Sequence, residues 1–272
     1  MSYALTDLID LERYPIDDLT GRGATLVDTC TARLRETAMC HLPGFVRTDA
    51  LERIREEAVA RQETTYWMRT ERRAYSWRNP DEYPEGHAVG ITSPNHIGTI
   101  TTDAFPADSA FVSLFRLPEL TRFLRAALEE PSLYPVGCPH LAANVKVMGK
   151  GCKHAWHFDQ NESAVTFMIQ NARGGGHYEY VPYLRSEDDE NYDGVASLLS
   201  GATTGVVQED LHPGSFCLFK GRRSIHRVTE ITEGSPDRLL AVFSYHTVPD
   251  HRYRDSTVRS VLGRMPENYV RP

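Results

Sequence analysis

No apolar run in the sequence approaches the roughly 20 residues of a membrane span, so no transmembrane helix is expected. Positive charge is not in excess either. The 30 Lys and Arg residues face 37 Asp and Glu, a formal net charge of −7, which argues against a basic face for phosphate backbones. Cysteine is scarce: five residues, an odd number without a CxxC spacing, fit a reducing cytoplasm better than a disulfide scaffold. The stretch from Met1 to Asp10 is acidic and lacks a basic segment ahead of an apolar one, so no signal peptide is expected. Internal repeats and linker-like segments are missing as well. What remains is an ordinary composition, 40% hydrophobic and 25% charged over 272 residues. It reads as one domain, cytoplasmic, with a small-molecule partner and neither nucleic acid nor membrane, and it leaves the number of subunits open.

Residues 1–132 read as mainly helical. Leu5 to Tyr14 and Leu26 to Met39 carry apolar residues at helical spacing, and Thr48 or Asp49 is placed to cap a third helix through Leu51, Ile54 and Ala58. The clearest helix runs from Pro118 to Glu130, with proline at its start, the stripe Leu120, Phe123, Leu124 and Leu128, and Pro131 as its stop. From Gln62 to Asn95 the pattern breaks down. Tyr66, Trp67, Tyr75 and Trp77 are interleaved with Arg69, Arg72, Arg73 and Arg78 and punctuated by Pro80, Pro84 and Pro94. A long irregular segment rich in aromatics and arginine forks reads as a substrate lid that recognises a carboxylate, with Arg73 and Trp77 as candidate contacts.

Residues 133–248 change character. Leu141–Met148, Ala164–Ile169, His177–Val181, Thr203–Gln208, Ser215–Phe219, Ile225–Ile231 and Leu239–Tyr245 are short β-rich runs separated by Gly, Pro and Asp turns. Asp188–Leu199 reads as a helical insertion, and residues 249–272 as a C-terminal tail. The expected class is α+β, with N-terminal helices packed on a sandwich or jelly-roll core.

Within that core stands Lys153-His-Ala-Trp-His157-Phe-Asp159-Gln-Asn161. On an extended segment His157 and Asp159 point to one side. With 11 histidines in the chain, one His-x-Asp pair is near what random order produces, so its context must carry the inference. His226 follows a turn and opens a later strand, ready to complete a three-ligand face. Arg238 begins the last apolar strand and could hold a dicarboxylate through a bidentate pair. His154, and Trp156 beside the ligand pair, are candidate substrate contacts. A second His-x-acid pair, His177 and Glu179, competes for the same role. Two neutral imidazoles and one carboxylate suit ferrous iron and leave positions for 2-oxoglutarate and O2. Such a set supports oxidative decarboxylation to succinate and CO2, coupled to oxidation of a bound C–H.

Several stretches together, Asn144-Val-Lys-Val-Met148, His157-Phe-Asp-Gln-Asn-Glu162, Gly175-Gly-His-Tyr-Glu-Tyr-Val-Pro182, Asn191-Tyr-Asp193 and Pro213 through Val228, resemble the iron(II)/2-oxoglutarate-dependent oxygenases. The likeness covers roughly residues 133–245. It is nearest to the group that includes carrier-free amino-acid halogenases and their hydroxylating relatives. The resemblance implies a double-stranded β-helix, His157, Asp159 and His226 as iron ligands, Arg238 as the 2-oxoglutarate anchor, and Asn144 lining the cosubstrate pocket. Halogenases of the group have Gly or Ala where this chain has Asp159. The resemblance therefore implies hydroxylation of a free amino acid or similar carboxylate, or a related desaturation or cyclisation. A cupin-like metal- or ligand-binding protein without catalysis is the alternative of another class. Metal-binding cupins usually show a His-x-His pair, which the sequence lacks.

Overall fold

The computed structural model describes residues 3–267 and Tyr269. Two antiparallel sheets face each other. The larger has seven strands in the order Met39–Leu42, Phe216–Phe219, Ala164–Gln170, Arg238–Phe243, Ala143–Met148, Thr92–Ile100, Tyr66–Arg73. The smaller has four: Val207–Glu209, Tyr178–Val181, Ile225–Val228, His154–His157. This is an α+β architecture with a jelly-roll core.

Strand alternation divides the larger sheet into two chemically different faces. On one, Val145, Val147, Phe167, Ile169, Ala241 and Phe243 join Leu34, Ile54, Phe111 and Phe123 in a continuous apolar cluster beneath the helices. On the other, Met168, Cys217 and Leu240 meet Tyr178 of the smaller sheet. By the same alternation Asn144, Lys146 and Arg238 share that inner face. The outer face therefore anchors the sheet, and the inner face is left for chemistry.

Two helices show their sequence signals directly. Pro118–Ala127 starts on proline and buries Leu120, Phe123, Leu124 and Ala127. Each large apolar side chain sealed there contributes roughly 1.5–3 kcal/mol. Ala110–Arg116 is capped by Ser109, whose Oγ accepts from Val112 N–H at 3.2 Å. Arg22–Thr37 and Thr48–Val59 complete the N-terminal layer; Thr48 and Asp49 lie inside the latter helix instead of capping it, and its N-cap, Arg47, makes no side-chain cap bond.

The first expected helix stops after one turn, at Leu5–Leu8, because the chain finds strand-like partners: Ile9 bridges Val46, and Asp10 N–H donates to Phe45 O. The residues 249–272 expected as a tail carry a helix, Asp255–Leu262. Its Val258 and Leu262 pack on Val136, Cys138 and Leu141, while residues 268 and 270–272 of that tail lie outside the described residues.

The largest difference from expectation is the stretch from Gln62 to Asn95. It is not one irregular lid. Tyr66–Arg73 and Thr92–Ile100 pair in continuous antiparallel register, from Tyr66 opposite Thr99 to Arg73 opposite Thr92. Tyr66, Trp67 and Thr70 favour this extended form, but long charged side chains at an exposed sheet edge hide the alternation. Pro94 is tolerated because the Thr92–Ile100 strand pairs with Ala143–Met148 only at Gly98–Ile100. The irregular part shrinks to about residues 74–91. It is anchored by buried Tyr75 and Val89 and tied down where Tyr75 Oη donates to Glu190 O at 2.6 Å. Among the described residues, no helix is long and apolar enough to cross a membrane.

Candidate metal centre

In the smaller sheet Ile225–Val228 lies between His154–His157 on one side and Tyr178–Val181 on the other. His226 sits directly opposite His157 across the first of these pairings. The ring centroids are 4.1 Å apart. Asp159 lies just past the strand end, where its N–H donates to Gly221 O at 3.0 Å. That bond connects the ligand segment to the turn before His226. A Cβ at Gly221 would overlap the Asp159 carboxylate, so the turn can approach only as glycine. The outcome is a compact three-sided donor set. Asp159 Oδ1 is 3.7 Å from His157 Nε2 and 3.6 Å from His226 Nε2, and the three ligand atoms lie within 4.8 Å of one another.

Backbone carbonyls set both tautomers. His157 Nδ1 is 2.8 Å from Ala155 O, and His226 Nδ1 is 3.1 Å from Ser224 O. A proton on each Nδ1 leaves each Nε2 lone pair directed at the cluster. Burial, together with the other nearby cationic groups, holds the His157 imidazole well below its ordinary range, and burial lowers His226 as well. Neutral imidazoles are what a metal requires. Asp159 Oδ2 is buried without a hydrogen-bond partner. A buried carboxylate oxygen left in this way calls for a cation.

Arg238, at 2% exposure, is among the largest fully buried side chains. Its Nε, Nη1 and Nη2 all lack hydrogen-bond partners, and burial pushes the guanidinium down to about 10. The buried Asn144 Oδ1 also lacks a partner. A planar donor fork this deep is suited to a carboxylate supplied by a ligand. The glycine run beside it makes room: Gly176 has φ +72, and a Cβ there would press on Ile231 and approach Arg238 Cδ to 3.1 Å. These orphaned groups fit iron(II) and 2-oxoglutarate.

His154 reaches the site by an irregularity. His154 and His157 are three positions apart, while their partners Val228 and His226 are two positions apart. This bulge turns His154 onto the inner face, with its ring 4.1 Å from that of His157. Trp156 is turned the other way. It belongs to the apolar cluster of Tyr75, Val181 and Ile225, with the Arg227 guanidinium 4.6 Å over its ring, so it is not brought to the centre. Trp77 packs edge-on against Tyr75 and Phe158, beneath Arg185 at 4.8 Å, behind the ligand segment. Arg73 is likewise not brought in. It ends the edge strand on the face opposite to Met68, whereas Arg72 shares the face of Met68, which packs against Met148. Arg72 Nε is buried without a partner, and the charge of Arg72 acts on Asp159, His154, His157 and His226.

His177 and Glu179 do not form a rival centre. Glu179 takes a two-pronged contact from Arg227, Nε at 2.7 Å and Nη2 at 2.6 Å, while Tyr178 and Tyr180 face inward. Tyr178 lies 5.8 Å ring to ring from His226, and its hydroxyl is raised well above its ordinary range by burial. Tyr178, Arg72, Lys146 and Gly221 are interior groups that the sequence reading did not single out. Strand parity was the available signal for the first three.

The two-sheet fold is that of solved 2OG-Fe(II) oxygenases, and the buried donor set with the unpartnered Arg238 beside it fits Fe(II) and 2-oxoglutarate. The family model "HalD: Halogenase D" matches residues 24–260, and the chain belongs to this family. It is 26% identical over 227 residues to a PKHD-type hydroxylase of Pseudomonas putida, covering 84% of each chain. Among solved structures it resembles HygX of Streptomyces hygroscopicus, determined with nickel, 2-oxoglutarate and hygromycin B. That match has a TM-score of 0.56 and 13% identity, over 87% of this chain and 94% of HygX. It also resembles an oxidoreductase of the 2OG-Fe(II) oxygenase family from Burkholderia pseudomallei, with a TM-score of 0.52 and 16% identity, over 84% and 94% of the two chains.

Proposed function

We propose that this enzyme hydroxylates a free amino acid or similar small carboxylate metabolite, releasing succinate and CO2. In this reading His157, Asp159 and His226 hold the iron, and Arg238 holds the distal carboxylate of 2-oxoglutarate with Asn144 beside it. The observation that carries it is the Asp159 carboxylate, 3.7 Å and 3.6 Å from the two histidine Nε2 atoms. An anionic protein ligand occupies the position that a halogenase of this family leaves to chloride, which favours oxygen insertion over halogenation. Iron and 2-oxoglutarate, when bound, supply the activation of O2. The chain's own groups orient and enclose the substrate. Arg72 and His154, on the inner face beside the donor set, support a carboxylate as the part of the substrate that is recognised. Five free thiols, all buried, support a reducing compartment such as the cytoplasm.

A screen of amino acids for stimulated succinate formation tests this reading. The expected result is that at least one raises succinate above the uncoupled rate, with a product heavier by one oxygen atom. If none does, the substrate assignment fails. A product lighter by two hydrogens would move the reaction to desaturation or ring closure with the metal assignment intact.

A further inference from the structure

The ligand strand His154–His157 has two edges. One pairs with Ile225–Val228, and Tyr178–Val181 follows beyond that strand. The glycines leading into Tyr178 lie against the cosubstrate anchor, since a Cβ at Gly176 would come within 3.1 Å of Arg238 Cδ. The other edge meets the strand Thr92–Ile100. There His96 N–H donates to Lys153 O at 2.9 Å, and Lys153 N–H donates to His96 O at 3.0 Å. Arg238 and this second pairing therefore flank the ligand strand from opposite sides.

The second pairing brings Asn95 into the interior. The next position in its register sets Asn95 opposite His154, and opposed residues of antiparallel strands share a side. The His154 ring is on the inner face, 4.1 Å from that of His157. Parity with Ile97, which packs with Met148 and Val228, gives Asn95 the same face. Asn95 is 1% exposed. Its Oδ1 accepts from Ala155 N–H at 3.1 Å, which fixes the orientation of the amide. The free end is Nδ2, buried without a hydrogen-bond partner. A dry, unmatched donor is costly, and a bound acceptor removes that cost.

Arg72 is the diagonal neighbour. Thr70 lies opposite Asn95 and Ser93 opposite Arg72, so Arg72 shares the inner face two positions along its strand. Its buried Nε also lacks a partner. Two adjacent donors, neither satisfied, match the two oxygens of one carboxylate. We infer that Asn95 is a specificity-determining residue: its Nδ2 donates to one carboxylate oxygen of the substrate, and Arg72 holds the other. This rests on the oxygenase reading above and deepens it, placing the recognised carboxylate at the edge of the ligand strand away from Arg238.

Asn95→Asp is the sharpest variant, because it keeps an oxygen for Ala155 N–H and replaces the free donor with a second oxygen. The probes are L-leucine, L-lysine and L-aspartate, each with its α-amide. For the amino acid that stimulates succinate most, kcat/KM should fall about ten- to a hundredfold in Asn95→Asp, in KM rather than in kcat. Its α-amide should change little, and so should the KM for 2-oxoglutarate. Arg72→Gln, at a half-buried position, should give the same contrast between acid and amide, and it decides the matter if Asn95→Asp does not fold. Calorimetric titration of each probe into anaerobic enzyme holding Fe(II) and 2-oxoglutarate reads binding without turnover. Wild type should bind the acid more tightly than the amide, and either variant should narrow that difference. Equal losses for acid and amide, an unchanged kcat/KM, or a loss that falls on 2-oxoglutarate overturn the inference and leave the oxygenase reading standing. If no probe stimulates succinate, the calorimetry decides. An acid that binds wild type but not Asn95→Asp keeps the inference while the proposed reaction fails, and no binding by any acid overturns the inference.

Discussion

The strand carrying His226 has two neighbours, and each offers a histidine followed two residues later by an acid. On one side His157 faces His226, and Asp159 lies beside both rings. On the other side Tyr180 faces His226, and Glu179 is opposite Arg227, with which it pairs outside the barrel. The sequence pattern is the same and the chemistry is opposite, because side chains alternate across a strand. A one-residue difference in phase decides whether a carboxylate meets a metal or a guanidinium. The ligand strand also carries a bulge, which adds His154 to the inner face, while Trp156 alternates outward from His157.

The comparison breaks most sharply at its two acids. Asp159→Ala should reduce iron-dependent succinate formation to background, since the donor set loses its anionic member. Full activity in that variant would hand the role to Glu179. Gly221→Ala should follow, lowering iron affinity about 10- to 100-fold, because the added methyl displaces the Asp159 carboxylate without removing a ligand. Equilibrium titration of iron reads this directly. Arg238→Ala should raise the KM for 2-oxoglutarate by about ten- to a hundredfold, corresponding to a bond of roughly 1.5–3 kcal/mol, while iron still binds.

Lys146 yields a stability effect whose sign follows from its position. Its ordinary value of 10.5 is pushed down to about 7 in the folded chain. Between those values the unfolded chain binds the extra proton, so the contribution of Lys146 to stability rises with pH across that window and is least favourable below it. Replacing it with Met should raise Tm most near pH 6–7, by about 2–4 °C per kcal/mol gained, and the gain should shrink towards pH 10. A constant difference in Tm across the range would contradict the buried, neutral lysine. The smallest effect belongs to the outer acid. Glu179→Ala removes a partly exposed ion pair and should cost about 0–1 kcal/mol in denaturant unfolding, with turnover intact.

Legibility followed the same physics. The Pro118 helix could be read because proline, a one-sided apolar stripe and a second proline all agree. His157, Asp159 and His226 could be read as one donor set because residues two apart on an extended segment share a side and His226 opens a later strand, and their ligand atoms lie within 4.8 Å of one another. Arg72 was hidden because the segment from Tyr66 to Arg73 looked irregular. Once it is a strand, the parity of Met68 selects Arg72 over Arg73. His154 and Trp156 were both read as substrate contacts, and the structure separates them: a bulge, which leaves no mark in residue types, brings His154 inward, while Trp156 alternates outward from His157. Lys146 passed as the polar member of an alternating strand, since its half-buried place on the inner face follows only from the parity it shares with Asn144 and Met148.

The central claim is that the inner pair, and not the outer one, holds the iron. Anaerobic titration of Fe(II) into protein with 2-oxoglutarate tests it most directly. A charge-transfer absorption should develop only with both present, saturate at one iron per chain, persist in Glu179→Ala and be lost in Asp159→Ala. A band that survives in Asp159→Ala and disappears in Glu179→Ala would contradict the account.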